Sequence, residues 1–157
     1  MEQMKWNKRF IYPKSSRSLV MGQRHYEIGN DKLPSVTTIL SQTQSEEKKK
    51  SLADWRAKMG PEAADKVKDV AATRGTAMHR YLEAYIDGTG HKDLTALGVQ
   101  AETMANKIIE SGLKDLGEVW GSEVTLHYPG LYAGQTDVVG VYDGRPAIID
   151  FKQTNKP

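Results

Sequence analysis

Asp137-Val138-Val139-Gly140-Val141-Tyr142-Asp143-Gly144-Arg145-Pro146-Ala147-Ile148-Ile149-Asp150-Phe151-Lys152 is the stretch that decides the fold. Asp143-Gly144 is a tight-turn dipeptide between two runs rich in β-branched and aromatic residues, the pattern of a β-hairpin. Asp137 stands six residues before the turn and Asp150 six residues after Gly144. Closing the hairpin therefore brings the two carboxylates into neighbouring positions. Strand side chains alternate between faces, so Ile148, Asp150 and Lys152 share one face, while Ala147, Ile149 and Phe151 line the apolar one. Two adjacent carboxylates repel each other, and a divalent cation relieves that repulsion. Oxygen ligands suit magnesium or manganese. A lysine on the same face can orient a water or neutralise charge developing on a phosphate.

Working outward, Val119–Tyr128 is expected as a preceding strand, joined by Pro129-Gly130 to a strand over Leu131–Tyr142. Arg145–Lys152 is expected as the last strand. Upstream the period becomes helical. Glu46–Met59 places Leu52, Trp55 and Met59 on one face. Gly60-Pro61 breaks it and opens a second helix, with a candidate kink at Gly75, that stops near Gly88. Leu97, Ala101, Met104 and Ile108 mark a third helix, ending near Gly112. A short helix is expected after Pro34, and a short strand over His25–Ile28.

On the second of these helices His79 and Glu83 stand at i and i+4, sharing a face beside the apolar stripe Met78, Leu82 and Tyr85. A histidine there can reach a metal, or it can be a core-edge histidine bonded to Glu83.

The chain has 157 residues, no cysteine and a net charge of +2. That length fits one domain, and the lack of cysteine excludes disulfides and thiolate zinc sites. No apolar run approaches a membrane span. The charge is uneven: residues 1–70 carry 14 Lys and Arg against 9 Asp and Glu, and residues 71–157 carry 8 against 11. The expected organisation is one domain, with a basic part over 1–70 that guides a polyanion and a catalytic part over 71–157. Trp6, Phe10 and Tyr12 among the basic N-terminal residues are either stacking surfaces or core. Lys48, Lys49, Lys50, Trp55, Arg56 and Arg74 are the candidate nucleic-acid contacts, offering phosphate partners and a stacking ring.

In order and spacing these segments resemble the RecB-like branch of the P-D-(D/E)-x-K nucleases, in the subgroup of the mitochondrial genome-maintenance exonuclease and its phage relatives. The residues that carry the resemblance are Gly75, His79 and Glu83; Gly134 and Asp137; and Asp150 and Lys152. Leu33–Leu40, Leu52–Arg56 and the tail Asp150–Pro157 add to it. The resemblance implies a restriction-endonuclease-like α/β (α+β) core, with a mixed central sheet flanked by helices. It implies Mg2+ or Mn2+ held by His79, Asp137, Asp150 and the Phe151 carbonyl. Asp137, Asp150 and Lys152 would be catalytic, with Glu83 and Glu123 in support. The activity implied is metal-dependent DNA exonuclease, on single-stranded DNA or DNA ends, in the cytoplasm of a bacterium or phage-infected host and with no membrane partner. The family pattern continues into a Gln-x-x-x-Tyr helix and a further strand. A chain ending at Pro157 is expected to lack them, and so to self-associate or take a complementing C-terminal segment. The alternative is a catalytically incompetent nucleic-acid-binding or complex-forming remnant.

Overall fold

A computed structural model describes residues 4–154. Asn155, Lys156 and Pro157, the end of the tail quoted above, lie outside the described residues. The protein is mixed α+β. In chain order the elements are β1 (Ser15–Val20), β2 (Gln23–Ile28), β3 (Asp31–Pro34), α1 (Val36–Gln42), α2 (Glu46–Met59), α3 (Pro61–Asp87), α4 (Ala96–Ser111), β4 (Leu116–Tyr128), β5 (Tyr132–Tyr142) and β6 (Arg145–Ile149), with a 3-10 turn over Leu113–Asp115.

The expected single mixed sheet is not found among the described residues. There are two three-stranded sheets, β1-β2-β3 and β4-β5-β6. Tight turns explain this: Met21-Gly22, Gly29-Asn30, Pro129-Gly130 and Asp143-Gly144 each join consecutive strands, and such short links connect only antiparallel neighbours. Among the described residues, parallel pairing is confined to isolated bridges, Trp6 with Val119 and Ser35 with Ala133.

Contacts divide the chain into two compact units. One contains residues up to Phe10, Asp65–Glu123 and Thr136 onward; the other contains Ile11–Ala64 and Val124–Gln135. The divisions fall after Phe10, Ala64, Glu123 and Gln135.

In the first unit, α3 and α4 pack on the sheet. Met78, Leu82 and Ile86 of α3 are fully buried with Ala101 and Ala105 of α4, Val119 of β4, Val138 of β5, and Phe151. The α3 residues are spaced by four, so they form one stripe on the helix. α3 runs through Gly75 without interruption and stops before Gly88, whose φ of +75° suits a glycine. Trp6 belongs to this core: it packs against the buried cluster and its Nε1 donates to the Ile86 carbonyl at 2.9 Å. Of the two readings of the N-terminal aromatics, the core one holds for Trp6.

In the second unit, Tyr26, Ile28, Leu33 and Ala133 form a small core. Ser35 caps α1, its Oγ accepting from the Thr38 N–H at 3.0 Å. Ser45 caps α2 in the same way through Lys48 N–H. No residue of α2 is buried.

The last strand is shorter than expected, stopping at Ile149 rather than Lys152. Two side chains divert the ladder. Thr136 Oγ1 donates to the Ile149 carbonyl at 3.1 Å, and the Phe151 N–H donates to Asp137 Oδ2 at 2.7 Å instead of to a strand carbonyl.

Candidate active site

The β5-β6 register pairs Val138 with Ile149 and Tyr142 with Arg145. One step further in that register sets Asp137 against Asp150, as the turn position implied. The alternation also holds: Phe151 is buried, Ile149 packs against the core, and Ile148 is exposed.

Asp137 is the hub. Its side chain is only 12% exposed. Oδ2 accepts the Phe151 N–H and lies 3.3 Å from His79 Nε2. Asp150 stands opposite it by the register of β5 and β6. Burial pushes the Asp137 carboxyl up, but the bonds from His79, Asp150 and the Phe151 backbone outweigh it and hold the group well below the usual carboxylate range.

α3 delivers the histidine. His79 Nδ1 lies 2.8 Å from the Gly75 carbonyl one turn back. That carbonyl can only accept, so Nδ1 carries a proton and Nε2 is the nitrogen presented to Asp137. The bond to Asp137 raises the His79 pKa to about 9; burial opposes the shift, and the Gly75 and Phe151 backbone groups reinforce it.

Glu123 arrives from β4 by an unusual backbone. Its φ is +52°, inside a strand and away from any turn, where a non-glycine residue is strained. Its carboxyl is pushed up to about 7, first by burial, then by the charge and hydrogen bond of Asp137 and the charge of Glu83; His79 opposes this. Lys152 is 83% exposed and its Nζ lies 2.8 Å from Asp150 Oδ2. The bond to Asp150 raises the lysine pKa further, so Lys152 carries its charge at any neutral pH.

Thus His79, Glu83, Glu123, Asp137, Asp150, Phe151 and Lys152 are gathered in the first unit. Arg74 lies in that unit too, with its Nε donating to Gln153 Oε1 at 3.0 Å. Lys48, Lys49, Lys50, Trp55 and Arg56 all lie on α2 in the second unit. Lys49 pairs with Glu46 on the same helix at 3.3 Å, and Trp55 is 42% exposed. Thr136 and Gln153 are the positions that the sequence motifs did not single out. A mid-helix glycine at Gly75, with no turn to make, was the available signal for Gln153.

No three His, Asp or Glu side chains among the described residues stand ready around one ion position. The His79–Asp137 ion pair takes that place. The donor chemistry nevertheless fits a divalent cation. A Nδ1–H anchored on a carbonyl leaves Nε2 as the nitrogen that can face a ligand, and the Asp137 carboxylate lies 3.3 Å from it. The polar group beside it, Lys152, is positively charged and exposed. Such a set can hold a hard cation, orient water and stabilise charge on a phosphate.

No protein-family model matches the chain, and no curated protein matches it. No helix among the described residues is long and apolar enough to cross a membrane.

Proposed function

We propose that the protein is a metal-dependent nuclease, a DNA exonuclease acting on single-stranded DNA or DNA ends with Mg2+ or Mn2+. The supporting core is the α3-β4-β5-β6 assembly, read as part of a restriction-endonuclease-like fold. The observation that carries the proposal is the convergence of His79, Asp150 and the Phe151 backbone on the single carboxylate of Asp137, with Lys152 paired to Asp150.

His79 Nε2, the Asp137 and Asp150 carboxylates and the Phe151 carbonyl would hold the cation. Bound there, it would supply Lewis acidity toward a phosphoryl oxygen and lower the pKa of a water. The chain's own groups do the rest. Gly75 fixes the His79 tautomer through its carbonyl, and the Phe151 N–H fixes one lone pair of Asp137. Lys152, charged and accessible, sits where it can stabilise the extra negative charge of a pentacovalent phosphate. Glu123 takes up or releases a proton beside Asp137 near neutral pH. The exposed Trp55 and the basic residues of α2 offer stacking and phosphate contacts for a single strand.

Manganese titration by calorimetry, paired with cleavage of a labelled oligonucleotide, tests the proposal. Asp137→Ala and Asp150→Ala should each lose metal binding and cleavage together. Equal manganese binding by wild type and both variants removes the site. A second reading, a non-catalytic nucleic-acid-binding domain, is favoured by the His79–Asp137 ion pair at the ligand position. DNA binding without cleavage at saturating manganese selects it.

A further inference from the structure

Gly75 occupies the middle of α3, where alanine is the better helix former. The space beside it accounts for the glycine. A Cβ built at Gly75 would lie 2.6 Å from Gln153 Nε2. The Gln153 amide lies across the helix at that point, its Nε2 donating to the Ala71 carbonyl and its Oε1 accepting from Arg74 Nε at 3.0 Å. Both ends of the amide are used, and their partners dictate which end is which: an acceptor turned toward Ala71 would face another acceptor.

This matters because β6 ends at Ile149. Beyond it no strand ladder holds the backbone that carries Asp150 and Lys152. Two anchors do so instead, and they alternate with the site residues. The Phe151 ring is buried in the core and its N–H is bound by Asp137; Gln153 is bound to α3. Between and beside these anchors, Asp150 and Lys152 face the other way and pair with each other. The strand's alternation is thereby carried past the end of the sheet by side-chain bonds.

We infer that Gln153 is a positioning residue: by bridging Ala71 and Arg74 across Gly75, it holds the Asp150–Lys152 segment in a fixed setting against the helix that carries His79. Its effect on catalysis rests on the nuclease reading. The clamp itself does not, because it is a property of the metal-free chain.

The test uses the full chain as wild type, Gln153→Ala, Gln153→Glu and Gly75→Ala. Gln153→Glu retains an acceptor for Arg74 and loses the donor to Ala71. Gly75→Ala forces the amide off the helix while improving helix propensity, so loss of order there is not a propensity effect. Amide hydrogen exchange in chelator should rise over residues 150–154 in all three, on the order of 10-fold for Gln153→Ala, while exchange in α4 stays unchanged. With manganese, kcat should fall on the order of 10–100-fold with KM for the oligonucleotide unchanged. Exchange unaltered in all three variants overturns the clamp. Faster exchange with unaltered kcat overturns the positioning role. A wild type that neither binds manganese nor cleaves overturns the nuclease reading and its catalytic consequence, and the exchange data alone then decide the clamp.

Discussion

Helices α2 and α3 are separated in sequence by one residue, Gly60, and both carry an apolar face, yet they end differently. α3 buries Met78, Leu82 and Ile86 completely. α2 buries nothing; its Leu52, Trp55 and Met59 are 52%, 42% and 39% exposed. Periodicity reports that a helix has two faces. It does not report whether anything covers the apolar one. The two helices differ in what they offer: α3 supplies stability and carries His79, and α2 supplies an exposed surface that is apolar, aromatic and basic at once.

The sharpest way to break that contrast is truncation of matched leucines. Leu82→Ala should cost about 2–5 kcal/mol of unfolding free energy, as expected for a fully buried side chain. Leu52→Ala should change it by about 0.5 kcal/mol at most. Comparable losses in denaturant melts would mean that α2 is packed after all. Next in size is chemistry. Lys152→Ala should lower cleavage on the order of 100-fold while leaving manganese binding intact. Undiminished cleavage by that variant assigns the activity elsewhere.

A smaller effect belongs to α2. Trp55→Ala should weaken single-stranded DNA binding by about 1–3 kcal/mol, and the affinity of the wild type should fall steeply with salt. Fluorescence anisotropy that shows neither effect removes α2 from the substrate path. Smallest is a pH effect on the metal-free protein. His79 has a raised pKa, so its stabilisation is complete below about 6.5 and lost as pH rises through about 9. Glu123 has the same sign, complete below 4.5 and lost as pH rises through about 7. Asp137, with a lowered pKa, contributes above 3.8 and loses its effect only in acid. In chelator the melting temperature should therefore decline from pH 5 to pH 9, and Glu123→Gln should flatten the part below pH 7. A melting temperature that rises across this range contradicts the assigned shifts.

Much of the architecture was legible in the residues. The limits of α2 and α3 follow from Ser45, Gly60-Pro61 and Gly88, each of which has a local steric or capping reason. The Asp137–Asp150 juxtaposition follows from counting away from Asp143-Gly144. β1 was not legible, because Ser15-Ser16-Arg17-Ser18 has no alternating apolar pattern; its pairing to β2 uses backbone groups that every residue possesses. The end of β6 depended on a tertiary bond, Phe151 N–H to Asp137, which no local pattern encodes. The strained φ of Glu123 was also hidden, since the adjacent Gly121-Ser122 lies inside a strand pattern and gives no sign that Glu123 itself takes a positive φ. Gly75 reads in sequence as a candidate kink; its actual reason, the close approach of Gln153 78 positions away, is a tertiary contact.

The interleaving of the two compact units has a consequence for inheritance and engineering. The chain passes between them after Phe10, Ala64, Glu123 and Gln135. Neither unit is a continuous reading frame, so no single crossover in a gene can exchange one unit and leave the other whole. Exchange of either unit must instead cut the chain at all four of these points and rejoin it. Grafting the segment 124–135 alone, which is the tip of the β4-β5 hairpin, leaves every residue of the candidate metal site in place.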